Sequence, residues 1–537
     1  MKLTFIGADH EVTGSLHFLE TSDLNILIDC GMEQGSNLYE NAPLPVGYNE
    51  IDYILLTHAH IDHAGMIPFA YKEGFNGTVL TTNASMDLDS IMLLDSAHIQ
   101  EQEAEWKNRK GQRAGRAPVE PPYTVEEAKA VLKQFRTTPY NQVVELSDTV
   151  KVRFIDAGHL LGSASIEIWI DEDGVKKKLV FSGDIGNKNK PLIRDPSYIA
   201  DADYIIMEST YGDRLHDKNL NHIEDLRRIV QETLDRGGNV VFPAFAVGRT
   251  QELLYMLRHL KQDKLIHGHD GFPVYVDSPL AVQAINVFHE NLLACYDEET
   301  KALVEKGINP ISFPNLFLSV TADESRAINF DPTPKVILSA SGMCDAGRIR
   351  HHLKHNLWRR ECSIVFAGYQ AEGTLGRILQ DGAEVVRLFG EEIEVEAHIE
   401  TMGGMSSHAD RDGLLEWVGA FTSAPKRIFL VHGDDGAMEN LAGLIRAQFG
   451  YRVECPYSGT EFDLANDAFL YQAEPNFRVK QTAKDIRNQA AATELLEAAE
   501  RLRKLAGRYG ECTNADMKRM TKDINALLKK WNLEEDI

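Results

Sequence analysis

The sequence predicts an α/β fold spread over more than one domain. Short apolar runs recur, each ending in a glycine-bearing polar loop: KLTFIGA, LNILIDCG, DYILLTHAH, VKVRFIDAGH and KKLVFSGDIG. Helical stretches first separate these strands and later alternate with them. At 537 residues the chain also exceeds what one ordinary core organises, so two or three domains are expected.

Composition narrows the class. Hydrophobic residues make up 43% and charged residues 26%, enough apolar material for cores of that size. A net charge of −25 argues against a generally basic nucleic-acid coat but permits a local basic groove. The cysteines Cys30, Cys295, Cys344, Cys362, Cys455 and Cys512 are scattered, with no C-x-x-C pair. That pattern fits free thiols in a reducing cytoplasm better than disulfides or a thiolate zinc site. MKLTFIGADH reads as a strand entering a turn, without the apolar region of a signal peptide, and no run is long enough to span a membrane. A cytoplasmic location is expected.

Taken in order, the first strands precede a long helix, SMDLDSIMLLDSAHIQEQEAEW, with Ser85 as its expected cap. From about residue 209 helices and strands alternate. LRRIVQETLDRGGNVVFPAFAVGRTQELLYMLRHL reads as helix, strand, turn, helix. FPVYVDSP, PKVILSASGM and CSIVFAGYQ follow as buried strands of a largely parallel sheet. Near residue 396 the histidine-bearing strand ends resume in GGMSSHAD and RIFLVHGDDG, so the second domain looks inserted into the first. The expected divisions are 1–208 and 396–465 for the interrupted domain, 209–395 for the insertion, and 466–537 for a C-terminal helical extension. In that extension Leu495, Leu502 and Leu505 mark one apolar stripe; Met517, Met520, Ile524, Leu527 and Trp531 mark another. A hairpin packed on the body is favoured slightly over a dimerisation or partner element.

The chemistry concentrates in LLTHAHIDHAG. His58, His60, Asp62 and His63 fall within six positions, in a loop leading into a helix near Ala64. Neutral imidazole and carboxylate suit zinc. Alternate histidines can face one way while Asp62 and His63 face another, which suggests two ligand sets and two metals. Further ligands must come from other strand ends. His159, Asp184 and His432 each follow an apolar strand and stand beside glycine, and an aspartate can bridge two ions.

Asp29 in LIDCG, HAHIDH, His159 and Asp184 in FSGDIG resemble, in order, the motifs of the metallo-β-lactamase superfamily. The resemblance implies an αββα sandwich with metals at one edge of two sheets. It places one zinc on His58, His60 and His159 and the other on Asp62, His63 and His432, with Asp184 bridging. Asp29 would orient the ligand loop. MESTYGDRLH, PAFAVGRTQELL, SASGMCDAGRIRHHL, GYQAEGTLGR, SSHAD and LVHGDD are similar to the β-CASP group of RNA-processing nucleases, which includes RNase J and the cleavage subunit of the pre-mRNA 3′-end machinery. Three β-CASP positions match: Glu208, His408 and His432. DNA-directed members such as Artemis carry valine where His432 stands, so the histidine favours RNA. The likeness runs to about residue 460 and excludes the C-terminal helices. Together with the amphipathic tail it is compatible with a homodimer, and the oligomeric state stays open.

The function this implies is a two-zinc RNA phosphodiester hydrolase, endo- or 5′–3′ exonucleolytic, acting on single strands. Two cations about 3.5–4 Å apart can lower the pKa of a shared water and neutralise charge on phosphate. The hydroxide so formed would attack phosphorus, and His408, its pKa raised by Glu208, would protonate the leaving oxygen. The histidine-rich first site favours zinc over manganese. For RNA contact the candidates are Ser339 and Ser341 in the SASGM loop, Arg348 and Arg350 in GRIRHHLKHNLWRR, and Arg249 and Arg377 in glycine-flanked loops. KNRKGQRAGR, residues 107–116, reads as a solvated basic face. Two other functions compete. A hydrolase of a small ester or thioester would need no inserted domain, and a non-catalytic RNA-binding subunit would not retain every ligand.

Overall fold

The computed structural model describes the chain except residues 36, 114, 116, 218–220, 479–512 and 531–537. It divides into two compact units, Met1–Asn476 and Phe477–Ile537.

In the first unit two sheets lie face to face. The eight-stranded sheet runs in the order Ala468–Tyr471, Glu461–Asp463, Lys2–Gly7, Leu16–Glu20, Asn25–Ile28, Tyr53–Leu55, Thr78–Thr82, Phe135–Thr138. The seven-stranded sheet runs Val453–Glu454, Arg427–Val431, Tyr204–Glu208, Val175–Phe181, Ala164–Glu172, Val150–Asp156, Val143–Glu145. Successive side chains of a strand point to opposite faces, which sorts these residues into layers. Leu3, Phe5, Ile26 and Ile28 pack inward against Phe154, Ile166, Ile168, Phe429 and Val431. The opposite face of the first sheet, with Phe18, Leu27 and Ile54, is covered by Ile67 and Ala70 from the helix Ile67–Lys72 and Val131 from the helix Val125–Val131. The opposite face of the second, with Val180, Ile205 and Leu430, is covered by Leu414, Trp417, Leu441 and Ile445 from the helices Arg411–Gly419 and Asp435–Phe449. This is the expected αββα sandwich.

The insertion leaves and rejoins between neighbouring strands. Tyr204–Glu208 pairs parallel with Arg427–Val431, Glu208 opposite Val431. Between them lies a six-stranded parallel sheet in the order Leu316–Leu318, Val274–Val276, Val336–Ser339, Val240–Pro243, Ser363–Phe366, His398–Thr401. Its last strand lies beyond residue 395, where the sequence suggests the insertion ends.

The long helix covers Asn83–Gln112 and starts earlier than the sequence suggests: Thr82, not Ser85, is the cap, its hydroxyl accepting from the Ser85 N–H. Both are small hydroxyl residues, and only the chain's exit from the strand Thr78–Thr82 separates them. In the second unit the helix Asn514–Lys530 sets Met517, Met520 and Ile524 half-exposed among exposed neighbours. Leu495, Leu502, Leu505, Cys512 and Trp531 lie outside the described residues. The five described cysteines are free thiols. No described helix is long and apolar enough to cross a membrane.

Candidate metal centre

Parallel register brings the strand ends together. Ile28 pairs with Leu55, so Asp29 and Thr57 leave adjacent strands side by side. Glu208 opposite Val431 sets His432 next to the Glu208 turn. HAHIDH closes into the short helix Ile61–Ala64, with His60 at its N-cap. Gly31 lets this turn approach: a Cβ there would lie 1.7 Å from the Asp62 carbonyl oxygen. Asp29 and His432 hold positive φ values of 60° and 50°, the left-handed region that few non-glycine residues adopt and that aspartate and histidine enter more readily than most.

Two sets of donor atoms converge. His58 Nε2 lies 3.1 Å from His60 Nδ1, which lies 3.2 Å from His159 Nε2. Asp184 Oδ2 stands 3.4 Å from both His58 Nε2 and His159 Nε2. On the other side His63 Nε2 lies 3.2 Å from His432 Nε2 and 3.3 Å from Asp184 Oδ1. His432 Nε2 is 3.6 Å from Asp62 Oδ2. These spacings fit a cation at each set: four donors placed tetrahedrally at zinc's usual bond length of about 2.1 Å are roughly 3.4 Å apart. The fit is reinforced by Asp184 Oδ1, which is buried without a hydrogen-bond donor. Seven of the residues named from sequence thus converge, His58, His60, His159 and Asp184 in one set and Asp62, His63 and His432 in the other, with Asp184 reaching the second set at His63.

Neighbours fix which atoms face inward. His63 Nδ1 donates to Asp29 Oδ2 at 2.6 Å, leaving Nε2 for the centre. Asp29 Oδ1 also accepts from the Thr57 N–H and hydroxyl at 2.8 and 2.9 Å. Thr210 and His432 Nδ1 are 3.0 Å apart, hydroxyl to ring nitrogen. Thr57 and Thr210 are not identifiable as site residues from the sequence, although Thr57 adjoins His58 and Thr210 lies two residues from Glu208.

Burial and charge oppose each other here. Burial, with neighbouring imidazoles, lowers His58, His60 (to about 3) and His159, which favours the neutral form a cation needs. Burial would raise Asp184, but the surrounding histidines hold it well below the usual carboxylate range. His63 is pulled down by burial yet ends raised, because Asp184 and Asp29 flank it.

A third group stands at the rim. His408 Nδ1 is 3.1 and 3.2 Å from the two Glu208 carboxylate oxygens, and its Nε2 is 3.9 Å from Asp184 Oδ2. Glu208 is buried and also accepts the Ile185 N–H at 2.6 Å. Burial would lower the His408 pKa, but Glu208 and Asp184 raise it to about 9.

The residues chosen for RNA contact are mostly engaged internally. Ser339 is not exposed as expected: it is buried and donates to the Asp277 carbonyl at 2.9 Å. Arg348 donates to Asp277 Oδ1 at 2.8 Å and to the carbonyls of Ser319 and Val320 at 3.3 and 2.6 Å. Arg249 is buried, paired with Glu252 and donating to the Met405 carbonyl. These three are built into the fold because each lies beside a buried acceptor that sequence could not place. Arg350 lies over the Phe389 ring and Arg377 pairs with Asp381 at 2.9 Å. The Ser341 hydroxyl is 3.3 Å from the Ala346 carbonyl.

Three family models match the chain: a metallo-beta-lactamase superfamily domain over residues 18–192, a Beta-Casp domain over 250–379, and a Zn-dependent metallo-hydrolase RNA specificity domain over 392–456. The chain is 37% identical over 448 residues to Ribonuclease TTHA0252 of Thermus thermophilus, covering 83% of this chain and 96% of that protein. It is 30% identical over 471 residues to the transcription termination factor FttA of Methanocaldococcus jannaschii, covering 85% and 70%. To the FttA of Methanosarcina mazei it is 32% identical over 462 residues, covering 83% and 69%.

Proposed function

The chain belongs to the β-CASP family of the metallo-β-lactamase superfamily, and on that premise we propose that it is a zinc-dependent ribonuclease that hydrolyses phosphodiester bonds of single-stranded RNA. The observation that carries the reading is the placement of His408. Its Nε2 faces the donor sets while its Nδ1 is held on Glu208. A small ester with a good leaving group needs no such proton donor; a ribose oxygen leaving from phosphorus does.

His58, His60 and His159 would hold one zinc ion, Asp62, His63 and His432 a second, and Asp184 both. The ions would supply Lewis acidity, lowering the pKa of water and neutralising charge that builds on the phosphate. Asp29 keeps the His63 Nδ1 protonated and so turns its Nε2 inward. Thr210 does the corresponding service for His432. His408 gives its Nε2 proton to the departing ribose oxygen. Glu208 holds the ring and stabilises the protonated form it starts from. Cations at Asp184 would cancel that carboxylate's pull on His408, leaving Glu208 as the group that tunes it. The free thiols suit a cytoplasmic protein.

The test uses purified protein with linear RNAs bearing 5′-triphosphate or 5′-monophosphate, and a circular RNA, alongside metal analysis. Circular RNA has no ends, so its cleavage identifies endonucleolytic action. Loss of cleavage on chelation and recovery with zinc is expected. Cleavage retained by a chain stripped of metal overturns the reading.

A further inference from the structure

His408 stands on the irregular segment between the strand His398–Thr401 of the inserted sheet and the helix Arg411–Gly419 of the sandwich. The sandwich holds this segment through backbone bonds. Asn187 N–H donates to the Ser407 carbonyl at 2.8 Å, and Ala409 N–H to the Ile185 carbonyl at 2.7 Å. Gly186 and His408 form an antiparallel bridge. That loop also carries Asp184, so these bonds set His408 and the donor sets in one frame.

The second set of ties comes through charge. Arg249, the first residue of the helix Arg249–Gln262 of the insertion, donates to the Met405 carbonyl and pairs with Glu252 one turn on. Lys190 of the sandwich pairs with the same Glu252, and its Nζ donates to the Ser407 hydroxyl at 3.0 Å. All three side chains are buried, at 7–8% exposure. The turn just before Arg249 packs Ala246 and Val247 in one apolar cluster with Leu160 and Ala59, neighbours of His159, His58 and His60.

A buried ion cluster is a poor way to gain stability, since desolvation offsets most of the attraction; apolar side chains would join two lobes as well. What charged groups add is register, because each accepts only a particular geometry. We propose that Lys190, Arg249 and Glu252 are positioning residues that register the His408-bearing segment over the donor sets, so that the inserted domain takes part in placing the proton donor. This rests on the reading of His408 as that donor.

The test exploits the leaving group. RNA leaves as a ribose oxygen that needs a proton; a p-nitrophenyl phosphodiester of uridine leaves as a stable phenolate that does not. In Glu252→Gln and Lys190→Met the ratio of RNA turnover to aryl-ester turnover should fall about tenfold or more, as small misplacements of a catalytic group do. KM for RNA and zinc content should stay near the parent's. Amide exchange at residues 406–409 should quicken, also in the zinc-stripped chain. Ser407→Ala, which removes only the hydroxyl that Lys190 reaches, should shift the ratio the same way by less. His408→Ala is the reference. If it lowers the ratio and the three variants do not, the positioning role is refuted while the ribonuclease reading stands. If His408→Ala leaves the ratio as it was, the proton-donor reading fails and this inference with it.

Discussion

Replacing Glu208 by glutamine isolates the charge that tunes His408. Glutamine keeps the shape and an acceptor for His408 Nδ1 and the Ile185 N–H, but removes the charge. The His408 pKa stands at about 9, with burial pulling it down and Glu208 and then Asp184 holding it up. An opposite charge this close moves a pKa by roughly one to three. His408 is one-fifth exposed, which screens the pair and places the loss near the middle, roughly two. In the zinc-loaded chain, where cations offset Asp184, the His408 pKa, and with it the alkaline limb of the rate, should lie below about 9, and Glu208→Gln should move it down by roughly two pH units more. A general acid acts only while protonated, so activity is present below this pKa and lost as pH rises through it. On the alkaline side of both limbs the loss should approach about a hundredfold, with little loss on the acid side of both. The assay is kcat/KM on RNA between about pH 6 and pH 10. If Glu208→Gln lowers the rate by one factor across that whole range, leaving the alkaline limb where it was, the reasoning is refuted.

Three other outcomes are expected. Asp184→Asn removes the oxygen charge shared by both donor sets; zinc per chain, measured by elemental analysis, should fall, and RNA cleavage should drop by roughly 10³ or more while circular dichroism is unchanged. Arg348→Ala removes one of the three side chains that hold the buried Asp277, leaving His352 and Ser325, and should destabilise the first unit by about 2 kcal/mol in denaturant titrations. The salt slope of RNA binding should stay as it was, and a shallower slope would mean Arg348 reaches phosphate after all. Asp277 itself is held below its ordinary pKa by His352, Ser325 and Arg348, against burial. Its contribution is therefore complete above the unfolded value near 4 and lost as pH falls through the folded one. Asp277→Asn should be less stable at neutral pH and lose less on acidification; equal acid slopes for the two chains would contradict this.

Much of the centre was legible because its chemistry is local. HAHIDH offers ligands to both sets within one loop, and His159, Asp184 and His432 each sit where an apolar strand meets glycine. Strand ends converge at a sheet edge by construction, so the type and context of these residues determined their meeting. The sandwich and its insertion were legible for a similar reason: strand-end histidines stop, a helix–strand alternation intervenes, and the histidines resume.

What only the tertiary structure decided was which polar residues face outward. Arg249, Arg348 and Ser339 look in sequence like a phosphate-binding set, each in or beside a glycine-bearing loop. A guanidinium or hydroxyl suits a phosphate and a buried carboxylate or carbonyl equally well. Burial is the sum of contacts from distant segments: Met405 against Arg249, Asp277 and Val320 around Arg348. Thr210 and Lys190 carried no signal of their own for the same reason, since their partners His432 and Ser407 lie more than two hundred residues along the chain. Residue chemistry determined what could bind metal; long-range packing determined which charges remain for a substrate and which hold the proton donor in place.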